Sequence, residues 1–174
     1  MSKILVMYHS EGGATKKMAE LVAEGAGEVD GTDVRLKSVD EVSADDIRWC
    51  DGVACGSPTY LGIVSWRMKK WWDEHVGGLW GKVGGKIACA FSSAGGWGGG
   101  AELTCQSILN MLINYGFMVF GLPDYSGKGF TAHYGAVCQT APREESHRKA
   151  CRILGARLAE YASMVRAGGS DTNA

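Results

Sequence analysis

The chain has 174 residues, 45% of them hydrophobic and 21% charged, with a formal net charge of −1. That composition fits one globular domain able to bury a core without staples, and it excludes a general affinity for nucleic acid or for anionic membranes. No run of about 18 apolar residues occurs, so no membrane-spanning helix is expected. The apolar start, Ile4 to Val6, is shorter than an export signal needs, which predicts a cytoplasmic location.

In chain order, residues 3–8 (KILVMY) form a nearly continuous apolar run, as a strand buried on both faces requires. A polar turn at 9–13 leads into a helix predicted over 14–28, with Met18, Leu21, Val22, Gly25 and Ala26 at helical spacing. Residues 34–39 alternate as a half-buried strand, and Ser43 can cap a short helix with Asp45 and Asp46 in its first turn. A second buried strand is predicted at 52–56 and a loop at 57–62. A helix whose face is Val64, Met68, Trp71, Trp72 and His75 then ends near Gly77 and Gly78. Trp66 falls off that stripe and is expected to meet a second subunit. The third buried strand is 86–92, followed by a loop at 93–100 and a helix carrying Leu103, Ile108, Met111, Leu112 and Tyr115. Residues 117–120 read as a fourth buried strand, 122–135 as a long polar connection, and 136–138 as a continuation of the sheet. Pro142, Glu144 and Glu145 open a last helix with Ile153, Leu154, Arg157, Leu158, Tyr161 and Val165 toward the core. Strands alternating with amphipathic helices predict an α/β fold, a doubly wound parallel sheet covered on both faces. Residues 1–167 are expected to form a single domain, and 168–174 a disordered tail.

Six cysteines are present, with no C-x-x-C pair. Zinc and iron–sulfur spacings are not met, no metal is expected, and the thiols read as buried and free.

In a doubly wound sheet, ligands bind beyond the carboxyl ends of the strands. Three β-to-α loops fall there, at 9–15, 56–63 and 92–101, and the third holds five glycines among the eight residues 93–100. In the first, Ser10, Gly12, Gly13, Ala14 and Thr15 open a helix amino end with small side chains and hydroxyls, an anion cradle suited to a phosphate. Lys16 and Lys17 read as solvated first-turn residues. Neither a G-x-G-x-x-G turn after the first strand nor a G-x-x-x-x-G-K-[ST] loop is spelled out. The second and third loops each bring one aromatic residue, Tyr60 and Trp97, as stacking partners for a flat ring. The glycines around Trp97 let main chain approach the ring's polar edge.

With those residues in place, the sequence resembles the flavodoxin-like FMN proteins, and most of all the WrbA-type NAD(P)H:quinone oxidoreductases and related short flavodoxins. Ser10–Thr15 resembles the family phosphate loop [ST]-x-T-G-x-T, with Gly12 at the middle threonine. Residues 56–62 resemble G-[ST]-P-T-R-F-G, with Tyr60 and Leu61 in place of Arg and Phe. Residues 77–80 match G-G-L-W, residues 91–100 resemble F-S-S-T-G-T-G-G-G with Trp97 inserted, and residues 133–136 resemble P-Y-G-A. The resemblance implies a five-stranded sheet of order 2-1-3-4-5 and one non-covalent FMN. Ser10, Gly12, Gly13, Ala14 and Thr15 would hold its phosphate; Pro58, Thr59, Tyr60, Leu61 and Gly62 would flank the ring. Ser92, Ser93, Ala94, Gly95, Trp97 and Gly98 would line the other edge. The chain is shorter than the WrbA type between the second and third strands, where that family carries residues linked to its tetramer. Tyr115 stands where that family has a histidine.

The resemblance implies NAD(P)H-dependent reduction of a quinone, with His133, Tyr115 and Trp97 as candidates to touch the second substrate. The alternative is a flavodoxin-type electron carrier serving protein redox partners. A net charge of −1 is low for strong electrostatic steering, which tips the sequence reading toward the enzyme. A homodimer or higher homo-oligomer is compatible with either. A flavin-free scaffold acting through Trp66 leaves the three loops without a purpose.

Overall fold

The computed structural model describes residues 1–128 and 131–170, with the side chains of residues 76, 169 and 170 left aside. Its centre is three parallel strands: β1 (Ser2–Tyr8), β3 (Gly52–Tyr60) and β5 (Ile87–Ala94). β2 (Thr32–Ser38) flanks β1, and the far edge of the sheet is formed by two short pieces, β6 (Met118–Val119) and β7 (Ala136–Gln139), both parallel to β5. The path β2-β1-β3-β5-β6 is the 2-1-3-4-5 order expected, with the fifth strand divided in two.

Period-two alternation explains why the central strands read as unbroken apolar runs. Ile4, Val6, Ala54, Cys89 and Phe91 face α1 (Ala14–Gly27) and α5 (Glu145–Ser170). Leu5, Met7, Val53, Cys55, Ala88 and Ala90 face α2 (Ala44–Trp49), α3 (Trp66–Leu79) and α4 (Ala101–Asn114). Each fully buried Ile, Leu or Val among them contributes roughly 1.5–3 kcal/mol relative to exposure.

Several boundaries differ from the sequence expectation. β3 runs on to Tyr60 instead of ending at 56, because Thr59 and Tyr60 pair with β4 (Ile63–Val64) in an antiparallel hairpin. The fourth predicted strand, 117–120, shrinks to Met118–Val119, and Met118 is 45% exposed. Leu103 lies on the solvent side of α4, whose buried face is Ala101, Thr104, Cys105, Ile108, Leu109 and Leu112. On α5 the buried stripe is Cys151, Leu154, Leu158, Ala159 and Ala162, while Val165 is exposed and Arg157 half-buried. That helix also extends through Ser170, three residues into the expected tail; residues 171–174 lie outside the described residues. Among the described residues, no helix is long and apolar enough to cross a membrane.

Candidate functional site

β1 ends at Tyr8, and the His9 N–H donates to the Gly56 carbonyl at 2.9 Å, so the first turn leaves the sheet beside β3. Gly13 is the N-cap of α1 with φ 80° and ψ −8°, a left-handed conformation that glycine adopts without strain. No side chain caps this end, and no acidic residue occupies its first turn. The first N–H groups of a helix have no partner within it, and they carry the positive end of the helix dipole. A Cβ added at Gly12 or Gly13 would meet nothing within 4 Å, so the turn opens onto free space. Lys16 and Lys17 are exposed, as expected of solvated residues. Thr15 is buried, and its hydroxyl is 2.9 Å from that of Ser93. It ties the first loop to the third rather than facing outward.

The second loop is a strand end and a two-residue hairpin turn. Leu61 (φ 50°) and Gly62 (φ 85°) both take left-handed conformations, and Leu61 is fully exposed. The Thr59 hydroxyl is 3.1 Å from that of Ser92 and accepts a hydrogen bond from Thr104 at 3.0 Å. Ser92 in turn donates to the Ser57 carbonyl at 2.8 Å. Ser92, Ser93 and Ala94 therefore form a buried frame inside β5, and the accessible part of the third loop starts at Gly95. A Cβ at Gly100 would stand 3.3 Å from Gly62 Cα, which shows how closely the third loop meets the hairpin.

The structure thus gathers the three loops on one edge of the sheet. Ser10, Gly12, Gly13, Ala14, Tyr60, Leu61, Gly62, Gly95, Trp97 and Gly98 are accessible there, Pro58 and Thr59 are partly so, and Thr15, Ser92 and Ser93 brace them from within. A partly open cavity of about 260 Å³ adjoins the third loop and takes Ala94, Trp97 and Gly98 from the expected set. Its remaining wall comes from β7 and the start of α5, including Gln139 and His147, neither of which the sequence singled out. The first two loops do not contribute to it. They present an open trough.

One candidate stands elsewhere. Tyr115 is the C-cap of α4, at the amino-terminal end of the strands, buried against Trp72 and Trp80 with its hydroxyl donating to the Trp72 carbonyl. A helix of this length puts about 20 Å between it and the loops, so it cannot touch a ligand held there by the same chain. His133 is exposed and paired with Asp124 at 3.0 Å on the excursion between β6 and β7.

His9 was read only as a turn residue, because a lone histidine at a strand end carries no spacing pattern. It is buried, with Nδ1 2.9 Å from the Ser65 hydroxyl and its ring edge-on to Tyr60 at 6.2 Å. Burial lowers its pKa, and Arg67 adds to that, against Glu11 and Asp40. Tyr60 is pushed up by burial and by its hydrogen bond to Glu11. All six cysteines are free and buried. Burial raises their thiols, Cys50 and Cys138 to about 12, so none is a thiolate at neutral pH. Among the described residues, no cluster of three or more potential metal ligands occurs.

A parallel sheet whose turns after β1, β3 and β5 converge on one edge, one of them an uncapped helix amino end, defines a doubly wound α/β protein with a ligand-binding rim. The chain belongs to the flavodoxin family, which residues 6–141 match. It is 60% identical over 164 residues to a flavodoxin of Aquifex aeolicus, covering 94% of this chain and 89% of that protein. It is also 32% identical to an NAD(P)H dehydrogenase (quinone) of Methylocella silvestris, covering 95% of this chain and all of that one. That alignment is 200 positions long against a chain of 174, so the dehydrogenase carries residues with no counterpart here. Among solved structures, a WrbA-like flavodoxin of Agrobacterium tumefaciens superposes with a TM-score of 0.78 at 26% identity, over 94% of this chain and 99% of that one. The coarse class is therefore that of flavodoxin-like FMN redox proteins. The rim fits that cofactor on its own terms: an uncapped helix end, no carboxylate in its first turn, and space beyond Gly12 and Gly13 for a phosphate.

Proposed function

We propose that the chain holds one FMN in the three-loop trough and works as an electron carrier for protein partners. The observation that carries this reading is the shape and chemistry of the rim. The trough is open, and Leu61, Ile63, Trp66 and Trp97 stand around it at 57–104% exposure, with Tyr60 at 37%. Enzymes acting on small molecules enclose them in a pocket. Exposed apolar side chains on the rim loops and at the start of α3 suit a protein that docks on the edge where electrons leave.

In this reading the backbone amides of Gly12, Gly13 and Ala14 and the Ser10 hydroxyl receive the phosphate. Tyr60 and Trp97 cover the ring, and main chain at Gly95 and Gly98 meets its polar edge. Bound FMN supplies one- and two-electron redox chemistry, and the protein supplies positioning and electrostatics. Ser92, Ser93, Thr15 and Thr59 hold the three loops at fixed separations through their hydroxyl contacts. The 60% identity to a flavodoxin supports the carrier.

A second reading, NAD(P)H-dependent quinone reduction, is favoured by the cavity beside Trp97, which has room for a small ring next to the flavin edge. It is also supported by the 32% identity to a quinone dehydrogenase. Steady-state kinetics separates the two. The carrier reading expects the FMN-loaded protein to oxidise NAD(P)H with a benzoquinone no faster than free FMN does, yet to pass electrons to cytochrome c after photoreduction. Sustained NAD(P)H turnover well above free FMN would establish the enzyme instead.

A further inference from the structure

His9 has no task in the reading above, and its surroundings give it one. Ser65 caps α3: its hydroxyl oxygen accepts the Met68 N–H at 3.4 Å, while its own N–H donates to the Ser57 hydroxyl at 2.9 Å. The Ser65 hydroxyl also meets His9 Nδ1 at 2.9 Å, a contact in which either partner can donate. His9 Nε2 is buried and has no hydrogen-bond partner. Glu11 Oε1, at 3.8 Å, is too distant to accept from it. The ring touches the edge of Tyr60, which flanks the trough, and His9 immediately precedes Ser10 of the phosphate turn. A buried, unpaired ring nitrogen therefore lies beside Tyr60 on the residue that precedes the phosphate turn.

We propose that His9 takes up a proton as a phosphomonoester docks in the β1–α1 turn, so that selection of FMN over unphosphorylated riboflavin strengthens as the pH falls toward 6. The inference rests on the FMN reading and deepens it. In the free protein burial keeps the imidazole neutral, with Arg67 opposing its charge and Glu11 and Asp40 favouring it. A dianion arriving beside Ser10 adds a large favourable field and shifts that balance. In the free protein the imidazole takes its proton only below the ordinary histidine range, and the Tyr60 hydroxyl beside it is pushed up, away from neutrality. By linkage, one proton taken up on binding strengthens binding by at most about tenfold per pH unit. The ligand's own second phosphate ionisation, near 6, opposes the effect only at lower pH.

The experiment titrates the apoprotein with FMN and with riboflavin, reading flavin fluorescence quenching, at several pH values from about 8.5 to about 6.5. The ratio of the two affinities is expected to rise severalfold as the pH falls in the wild type and to stay flat in His9→Gln, with riboflavin binding alike in both. Carbon-13 NMR of the wild-type His9 ring needs no variant: its midpoint is expected to move up when FMN is added and to stay put with riboflavin. A flat wild-type ratio, an undiminished slope in His9→Gln, or a His9 midpoint indifferent to FMN would overturn the inference while leaving FMN binding intact. Failure of both flavins to bind would instead remove the FMN reading and the inference with it.

Discussion

Two single positions decide how the rim is built. Gly13 combines a left-handed backbone with open space and an uncapped helix end. Gly13→Asp sets a carboxylate where the phosphate is to sit, so FMN titration is expected to show binding reduced at least a hundredfold, with the far-ultraviolet circular dichroism unchanged. Unaltered FMN affinity in that variant would remove the turn from the site. Leu61 is the other. It is a fully exposed leucine held at φ 50° beside Gly62 in a two-residue turn that asparagine or glycine fills with less strain. Leu61→Asn is expected to raise stability by about 0.5–1 kcal/mol in urea titrations while slowing electron transfer to a partner that docks on the apolar side chains of the rim. A strained residue kept at the cost of stability is an observation that points to use.

At the scale of elements, Asp46 couples β2 to α2. It closes a capping box with Ser43 and takes hydrogen bonds from Arg35 and Lys37 at 2.8–2.9 Å. Burial alone would raise its pKa, but Lys37, Ser43 and Arg35 together hold the carboxyl well below the usual range. Asp46→Asn is expected to cost about 2 kcal/mol in chemical denaturation, since it removes the charge that both cations meet. α1 and α5 cross on a reciprocal pair of glycines: a Cβ at Gly25 would stand 2.1 Å from the Arg152 carbonyl oxygen, and one at Gly155 1.9 Å from that of Val22. Gly155→Ala gains about 1 kcal/mol in helix propensity but overpacks backbone against backbone, for an expected net loss of about 2 kcal/mol. That crossing also explains what the sequence concealed. Hydrophobic periodicity marks Arg157 and Val165 as core, whereas the close crossing uses Gly25 and Gly155, and the buried stripe ends on the small residues Ala159 and Ala162, which carry little signal. Central strands were legible because Leu5 and Ile4 serve opposite layers and the run stays apolar. Ser57 and Pro58 spell a turn in the sequence, yet they pair with Ser92 and Ser93 of β5, and Thr59 and Tyr60 with β4, partners that no local pattern announces. The glycine-rich rim was readable from composition; its inner brace of hydroxyls and His9 was not, because their partners are 33–78 residues away.

For the whole molecule, ligand and acid act on stability in opposite directions. Binding only the folded chain, FMN at about a hundred times its dissociation constant adds about 2.7 kcal/mol, so thermal unfolding of the apoprotein is expected to shift up by about 5–10 °C on saturation. A missing shift would contradict a preformed site. Acid weakens the apoprotein in two windows. The unfolded chain protonates His9 below about pH 6.5, while the native state, whose His9 pKa is lowered, does not. Stability therefore falls as the pH drops through that interval. Asp46 contributes stability that is full above about pH 4 and is lost as the pH falls toward its depressed native value. Urea midpoints measured from about pH 7 to about pH 5 are expected to decline, and His9→Gln to flatten that decline.

The divided edge of the sheet carries a consequence of its own. β6 and β7 are each fastened to β5 by their own pairing, at Ile87–Ala88 and at Phe91–Ala94, and α5 shares one buried core with α1 and β1. A protease nick near Tyr125, which is 85% exposed, would cut the backbone without releasing either piece. The nicked protein is therefore expected to elute as one species in gel filtration under native conditions and to part into two only in denaturant.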